Sequence, residues 1–372
     1  MSEQLLHTPE GVRDIYGKEY ATKLQVENRL QEVIRLYGYE AIQTPTFEFF
    51  DVFSKEIGTT PSRELYKFFD KEGNTLVLRP DFTPSIARCA AKYFYEEKAP
   101  LRFCYTGNTF TNTSSLQGKL KEVTQLGAEL LNDDSVEADA EMISLVIRSL
   151  LNTGLSRFQV TIGEVEYFKG LCEEAGLDEE TENALRSCIS GKNYFAAEEL
   201  LEEKNVAEPF KSSLLKIADW FGEMYSLSEA RQLVTNARSL AAISRLETLY
   251  EVLKAYGVSE YVSFDLGMLS KYRYYTGVIF KAYTYGVGDA IVKGGRYDRL
   301  LQQFGKEAPA IGFCAVVDDV LEALSRQKVS LPLPEEVRQI TYTDADYPEK
   351  LAQVLSLRSR NIPVVLVKEK KA

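Results

Sequence analysis

Apolar residues recur at helical spacing in some stretches of the chain and in short extended runs in others. Leu30, Val33, Ile34 and Tyr37 follow the i, i+3, i+4, i+7 rule, which predicts a helix over 19–37, and Gly38 offers the left-handed position that ends it. The stretch YEAIQTPTFEFFDVF that follows is extended, because Pro45 cannot sit inside a helix. Strands are predicted at 75–78, 101–105, 122–130 and 157–163, with a helix through Ile143, Val146, Ile147 and Leu150 covering one sheet face. Extended runs return at 261–267, 277–285, 290–295 and 310–317, before a helix at 318–326. Strands in succession with a few long helices predict an α+β fold around a mainly antiparallel sheet.

Two segments break this pattern. Helix formers with acidic faces dominate from Glu164 to about Tyr256, which reads as a small helical insertion. The segment LPLPEE at 331–336 reads as a linker, and beyond it lie one strand, one helix and one strand. About 35 residues are too few for a core of their own, so this end is a docked piece or a remnant. The expected organisation is a core in two parts, 1–163 and 257–330, an insertion at 164–256 and a short tail at 331–372.

Charge and composition narrow the chemistry. Of 372 residues, 44 are Lys or Arg and 55 Asp or Glu, so the formal net charge is −11. Residues 164–225 hold 15 acidic and 6 basic side chains, net −9, and so carry most of it. This balance disfavours nucleic-acid binding, which relies on clustered Lys and Arg. His7 is the one histidine, which excludes a multi-histidine zinc site and any histidine triad that does not recruit the N-terminal region. Five dispersed cysteines without a C-x-x-C pair read as small core residues. With no basic-then-apolar leader and no run of about 18 apolar residues, the expectation is a soluble cytoplasmic protein that spans no membrane.

Three clusters carry candidate chemistry. LRPDFTPSIAR places Arg79, Asp81 and Thr83 at the end of a predicted strand, and is also a good polar turn. TQLGAEL puts Gln125, Gly127 and Glu129 at period two on one sheet face, a pattern that simple solvation also produces. YRYYTGVIF followed by VKGGRYDRL supplies Tyr274, Tyr275, Gly294, Gly295 and Tyr297, and paired tyrosines often serve only packing. Gly286-Val287-Gly288 lacks the third glycine and the strand–helix context of a dinucleotide fingerprint, and no Walker-type loop is present.

In order along the chain, PEGVRDIYG, YGYEAIQTPTFE, LRPDFT, YTGNTF with QLGAEL, YYTGVIF, KGGRYD and AIGFC resemble the catalytic core of histidyl-tRNA synthetase over roughly residues 8–327. The resemblance implies a class II aminoacyl-tRNA synthetase-like fold. Its elements are a six- or seven-stranded antiparallel sheet flanked by helices, a helical insertion and, here, a short βαβ-like C-terminal remnant. It also implies a histidine pocket. An acid and a threonine matching Asp81 and Thr83 hold the α-ammonium, with Asp81 one methylene shorter than the synthetase's glutamate. Gln125 and Glu129 complete that grip and reach the imidazole, and Tyr275 and Tyr297 close around the ring.

The departures decide what the resemblance means. Three positions where the synthetase carries ATP-handling arginines hold Thr111, Ser270 and Asp319. Without those charges nothing steadies the anionic adenylation transition state. With the short tail, this pattern resembles the histidyl-tRNA synthetase paralogue of histidine biosynthesis, the family of ATP phosphoribosyltransferase regulatory subunits. That family membership implies a non-catalytic chain with no cofactor and no metal. It implies assembly with a short-form catalytic ATP phosphoribosyltransferase subunit, as a homodimer within a hetero-octamer. L-histidine would be the effector, tRNA would not be a partner, and the stretch around Pro45 would lie at the dimer interface. The alternatives are an active histidyl-tRNA synthetase, a synthetase-like RNA sensor and a stand-alone histidine-binding protein.

Overall fold

The structure is a computed structural model that describes residues 6–54, 60–113, 120–217, 221–222, 225–269, 274–332 and 337–369. Among the described residues the first α-helix is α1 (Gly17–Leu36), which buries Val26, Leu30, Val33 and Ile34 on the face read from the spacing. Gly38, at φ 80°, ends it. Next come β1 (Glu40–Ala41), β2 (Phe47–Phe49), α2 (Asp51–Ser54), β3 (Lys67–Phe69), β4 (Thr75–Leu78) and α3 (Thr83–Tyr93). The long strands β5 (Leu101–Phe110) and β6 (Glu122–Leu131) lead into α4 (Val136–Asn152), whose first turn is capped by the Ser135 side chain.

After β7 (Phe158–Glu164) the chain turns helical: α5 (Val165–Glu174), α6 (Glu179–Ser190), α7 (Tyr194–Glu203), α8 (Glu208–Lys216), the two-residue β8 (Phe221–Gly222), α9 (Tyr225–Gln232) and α10 (Ala237–Ala255). Side chains of Glu164, Asp178, Asn193 and Asn236 cap four of these helices, so local chemistry starts them where the sequence has a cap former. The chain then adds β9 (Val262–Asp265), β10 (Val278–Thr284), β11 (Val292–Arg296), β12 (Ala310–Val316) and α11 (Val317–Arg326). The end of the chain is β13 (Arg338–Tyr342), α12 (Tyr347–Arg358) and β14 (Val364–Lys368), a βαβ arrangement with a parallel strand pair.

Among the described residues, one sheet of nine strands organises the fold, in the order β1-β5-β6-β12-β11-β10-β7-β9-β8. Six of its pairings are antiparallel, while β1–β5 and β7–β9 are parallel. The count exceeds the six or seven expected because two-residue strands at both edges, β1 and β8, carry no periodicity of their own. The predicted strand at 75–78 joins a separate three-stranded sheet, β2-β4-β3, instead of the large one. Helix α4 covers one face of the large sheet, where Asp139 receives the Arg296 guanidinium at 2.6 Å. Two compact units result: Met1–Ile15 with Lys23–Ser330, and Tyr16–Thr22 with Leu331–Ala372. Among the described residues no helix is long and apolar enough to cross a membrane.

Candidate functional site

The sheet face opposite α4 carries the candidate site, and strand register explains why. Glu129 on β6 pairs with Gly312 on β12, which pairs with Gly295 on β11, so these three positions form one row across the sheet. The adjacent row runs Gly127, Cys314 and Lys293. Glycine is required in both rows because side chains lie flat over the strands. A Cβ on Gly312 would stand 1.5 Å from Glu129 Oε2, one on Gly295 would stand 2.7 Å from the Tyr275 ring, and one on Gly127 would meet the Tyr105 hydroxyl at 2.4 Å. The bare strip leaves a cavity of about 230 Å³.

All six residues singled out from the sequence, Asp81, Thr83, Gln125, Glu129, Tyr275 and Tyr297, line this cavity. The Asp81 and Thr83 pair enters from the turn between β4 and α3, where Asp81 Oδ1 accepts the N–H of Phe82 at 2.6 Å and of Thr83 at 3.4 Å. Thr83 Oγ1 donates to Glu129 Oε1 at 2.7 Å, and Tyr297 Oη donates to Glu129 Oε2 at 2.5 Å. The Tyr274 and Tyr275 rings lie 4.4 Å apart, and Tyr274 meets Tyr297 edge-on at 6.3 Å. Arg79, from the same turn, does not enter the cavity lining. Its guanidinium stacks over the Phe82 ring and donates to the Asn108, Thr44 and Pro45 carbonyls, so it ties the turn to β5 and to the segment before β2.

The electrostatics favour a ligand that is cationic and rich in donors. Glu129 is buried, and that burial pushes its carboxyl up to about 8 against the lowering effect of the two hydroxyl donors; nearby Asp81 raises it further. Gln125 Oε1 is shielded from solvent and has no hydrogen-bond partner in the protein. An unmet buried acceptor of this kind costs about 1–3 kcal/mol, which a ligand N–H would remove. Among the described residues lining the cavity, the acids are Asp81 and Glu129 and the cation is Lys293.

Two of the departures from the synthetase pattern fall on described residues. Thr111 stands on the cavity wall, without charge. Asp319 opens α11 beside Asp318, where negative charge suits a helix N-terminus; burial pushes its carboxyl up to about 6. Ser270 lies outside the described residues. Sequence reasoning missed Gly312, Cys314 and Lys293 as members of the site. Their signal is the strand register, which places them beside Glu129 and Gly127 and is invisible before pairing is known. A larger cavity of about 1100 Å³, walled by residues such as Thr161, Ser263, Asp265 and Lys281, contains none of the six.

The nine-stranded sheet, the β4–α3 turn and the tyrosine-closed cavity define a protein of the histidyl-tRNA synthetase-like, class II fold. The histidyl-tRNA synthetase family profile matches residues 11–320. A solved histidyl-tRNA synthetase from Nostoc sp. shares the fold at a TM-score of 0.82 and 19% identity, over 98% of this chain and 86% of its own. The ATP phosphoribosyltransferase regulatory subunit of Acetivibrio thermocellus is 42% identical over 98% of this chain and 87% of its own length. That of Ruminiclostridium cellulolyticum is 38% identical over the same shares. A solved ATP phosphoribosyltransferase regulatory subunit/histidyl-tRNA synthetase from Bacillus halodurans superposes with a TM-score of 0.90 at 35% identity, covering 98% of this chain and 93% of that one. The chain belongs to the family of ATP phosphoribosyltransferase regulatory subunits, and its role is regulatory, in histidine biosynthesis.

Proposed function

We propose that this chain is a non-catalytic subunit that assembles in the cytoplasm with a short-form catalytic ATP phosphoribosyltransferase, is required for the first step of histidine biosynthesis, and makes that step sensitive to L-histidine. The observation that carries the reading is the cavity itself: six residues suited to an amino acid with a polar ring converge, while Thr111 and Asp319 stand where a synthetase places cations. Asp81 and Thr83 take the α-ammonium, aided by the unmet Gln125 acceptor. Glu129, held by Thr83 and Tyr297, faces the imidazole, and Tyr275 closes over it. Histidine that binds one conformation of the assembly better than another shifts its activity by that differential affinity.

The same reading makes the chain a homodimer within a hetero-octamer. Support comes from the small sheet, where Phe47, Phe49 and Phe69 are more than half exposed and Phe68 pairs edge-on with Phe47 at 5.8 Å. An exposed apolar patch of this kind marks a protein contact. The reading also predicts no adenylation and no tRNA binding. The test combines co-purification with a short catalytic chain and an assay of phosphoribosyl transfer with and without histidine. Absence of a complex at micromolar concentration, or histidine-dependent pyrophosphate exchange by this chain alone, would overturn it.

A further inference from the structure

An amino acid brings two opposite charges into a cavity, and the residues assigned so far answer only one of them. Asp81 and Glu129 are acids, and Gln125 offers an unmet acceptor, so all three suit the ammonium and the ring N–H groups. The α-carboxylate needs a cation. Among the described residues lining the cavity, Lys293 is the cation. It stands on the same sheet face as Gln125 and Glu129, in the row Gly127–Cys314–Lys293.

We propose that Lys293 takes the carboxylate of the amino-acid ligand and so makes the cavity selective for the intact zwitterion. This deepens the proposed histidine site and rests on that reading. The distances suit it. Lys293 is two strands across and two residues along from Glu129, which at about 4.8 Å per strand and about 3.4 Å per residue separates the backbones by about 12 Å. Both residues line the one cavity, so across that backbone separation they can engage opposite ends of one histidine, its ring at Glu129 and its carboxylate at Lys293.

The lysine is also free to turn inward. Its Nζ pairs with Asp289 at 3.1 Å, but both side chains are about half exposed (46% and 53%), where such pairs hold weakly. Asp319, which Lys293 also faces, competes for the same ammonium group. Two residues along on the same face, Gly295 adds no side chain to crowd the lysine stem, and the Tyr275 ring lies over it.

The experiment is calorimetry on the full chain with L-histidine and with L-histidinol, which keeps the ammonium and the imidazole but replaces the carboxylate by a hydroxymethyl group. The native chain should bind histidine about 10- to 100-fold more tightly than histidinol, the range of a charge-assisted hydrogen bond. Lys293→Met should lose that preference by weakening histidine alone, with histidinol affinity and melting temperature unchanged, and Lys293→Arg should keep most of it. A native chain that binds both ligands equally, or a Lys293→Met variant that retains the preference, overturns the assignment of Lys293 while leaving the pocket reading intact. A native chain that binds neither ligand overturns both.

Discussion

Glu129 is the residue on which the site's energetics turn, and its proton makes a measurable claim. Burial raises the folded carboxyl to about 8 from an ordinary 4.5, so the folded state holds a proton that the unfolded state releases. A group raised in this way contributes stability that is complete below about pH 4.5 and is lost as pH rises through about 8. Between those limits the unliganded protein should lose about 1.4 kcal/mol per pH unit on this account, up to roughly 5 kcal/mol in total. Glu164 is also pushed up to about 8 by burial, so the raw pH profile contains both groups. Glu129→Gln isolates one of them. Denaturant unfolding of the native chain and of Glu129→Gln at pH 5.5, 6.5 and 7.5 should give a stability difference that changes by about 1 kcal/mol at each step, with the native chain losing more as pH rises. Parallel profiles would mean that Glu129 is already ionised in the empty cavity. The empty cavity would then carry a standing negative charge, and ligand binding would release no proton from Glu129. Because a bound cation favours the carboxylate, ligand binding at pH 7 should also release a proton, visible as a binding enthalpy that depends on the buffer, and Glu129→Gln should abolish that dependence.

Other expectations follow from the same geometry. Gly312→Ala forces a methyl group against Glu129 Oε2 and, at 2.8 Å, against the Ala128 carbonyl. It should cost about 1–3 kcal/mol and abolish ligand binding, and undiminished affinity in calorimetry would show that the carboxylate does not need to lie over the strand. Asp139→Asn removes the partner of Arg296, a pair in which both side chains are almost fully buried, and of Arg245. Unfolding should show a loss of about 3–5 kcal/mol, since Arg245 loses this carboxylate and the buried Arg296 is left with Asp298 at 3.3 Å. Arg79→Met leaves the Asn108, Thr44 and Pro45 carbonyls without their donor. Its main effect should be on melting temperature, with ligand affinity falling only through displacement of Asp81; an affinity loss without destabilisation would make Arg79 a ligand contact.

Much of the fold was legible in the chain. The helix ending at Gly38, strands at 101–105, 122–130, 157–163 and 310–317, and the helix through Ile143 and Leu150 all stand where their spacing puts them. These are elements whose apolar period is long enough to declare itself. The edge strands β1 and β8 were not legible, because two residues have no period, and β4 left the main sheet because pairing is decided by partners and not by the strand's own sequence. The candidate site divides in the same way. Period two put Gln125, Gly127 and Glu129 on one face, and the order of motifs supplied Asp81, Thr83, Tyr275 and Tyr297, so all of these were available from the sequence. What only the tertiary structure decided is which residues oppose them. Two strands distant in sequence, β11 and β12, bring Gly312, Gly295, Cys314 and Lys293 into register with β6, and the burial that results turns Glu129 from an ordinary carboxylate into one that holds its proton near neutral pH. Sequence determines side-chain direction along a strand; neighbours, solvent exclusion and net charge in a cavity are properties of the pairing between strands.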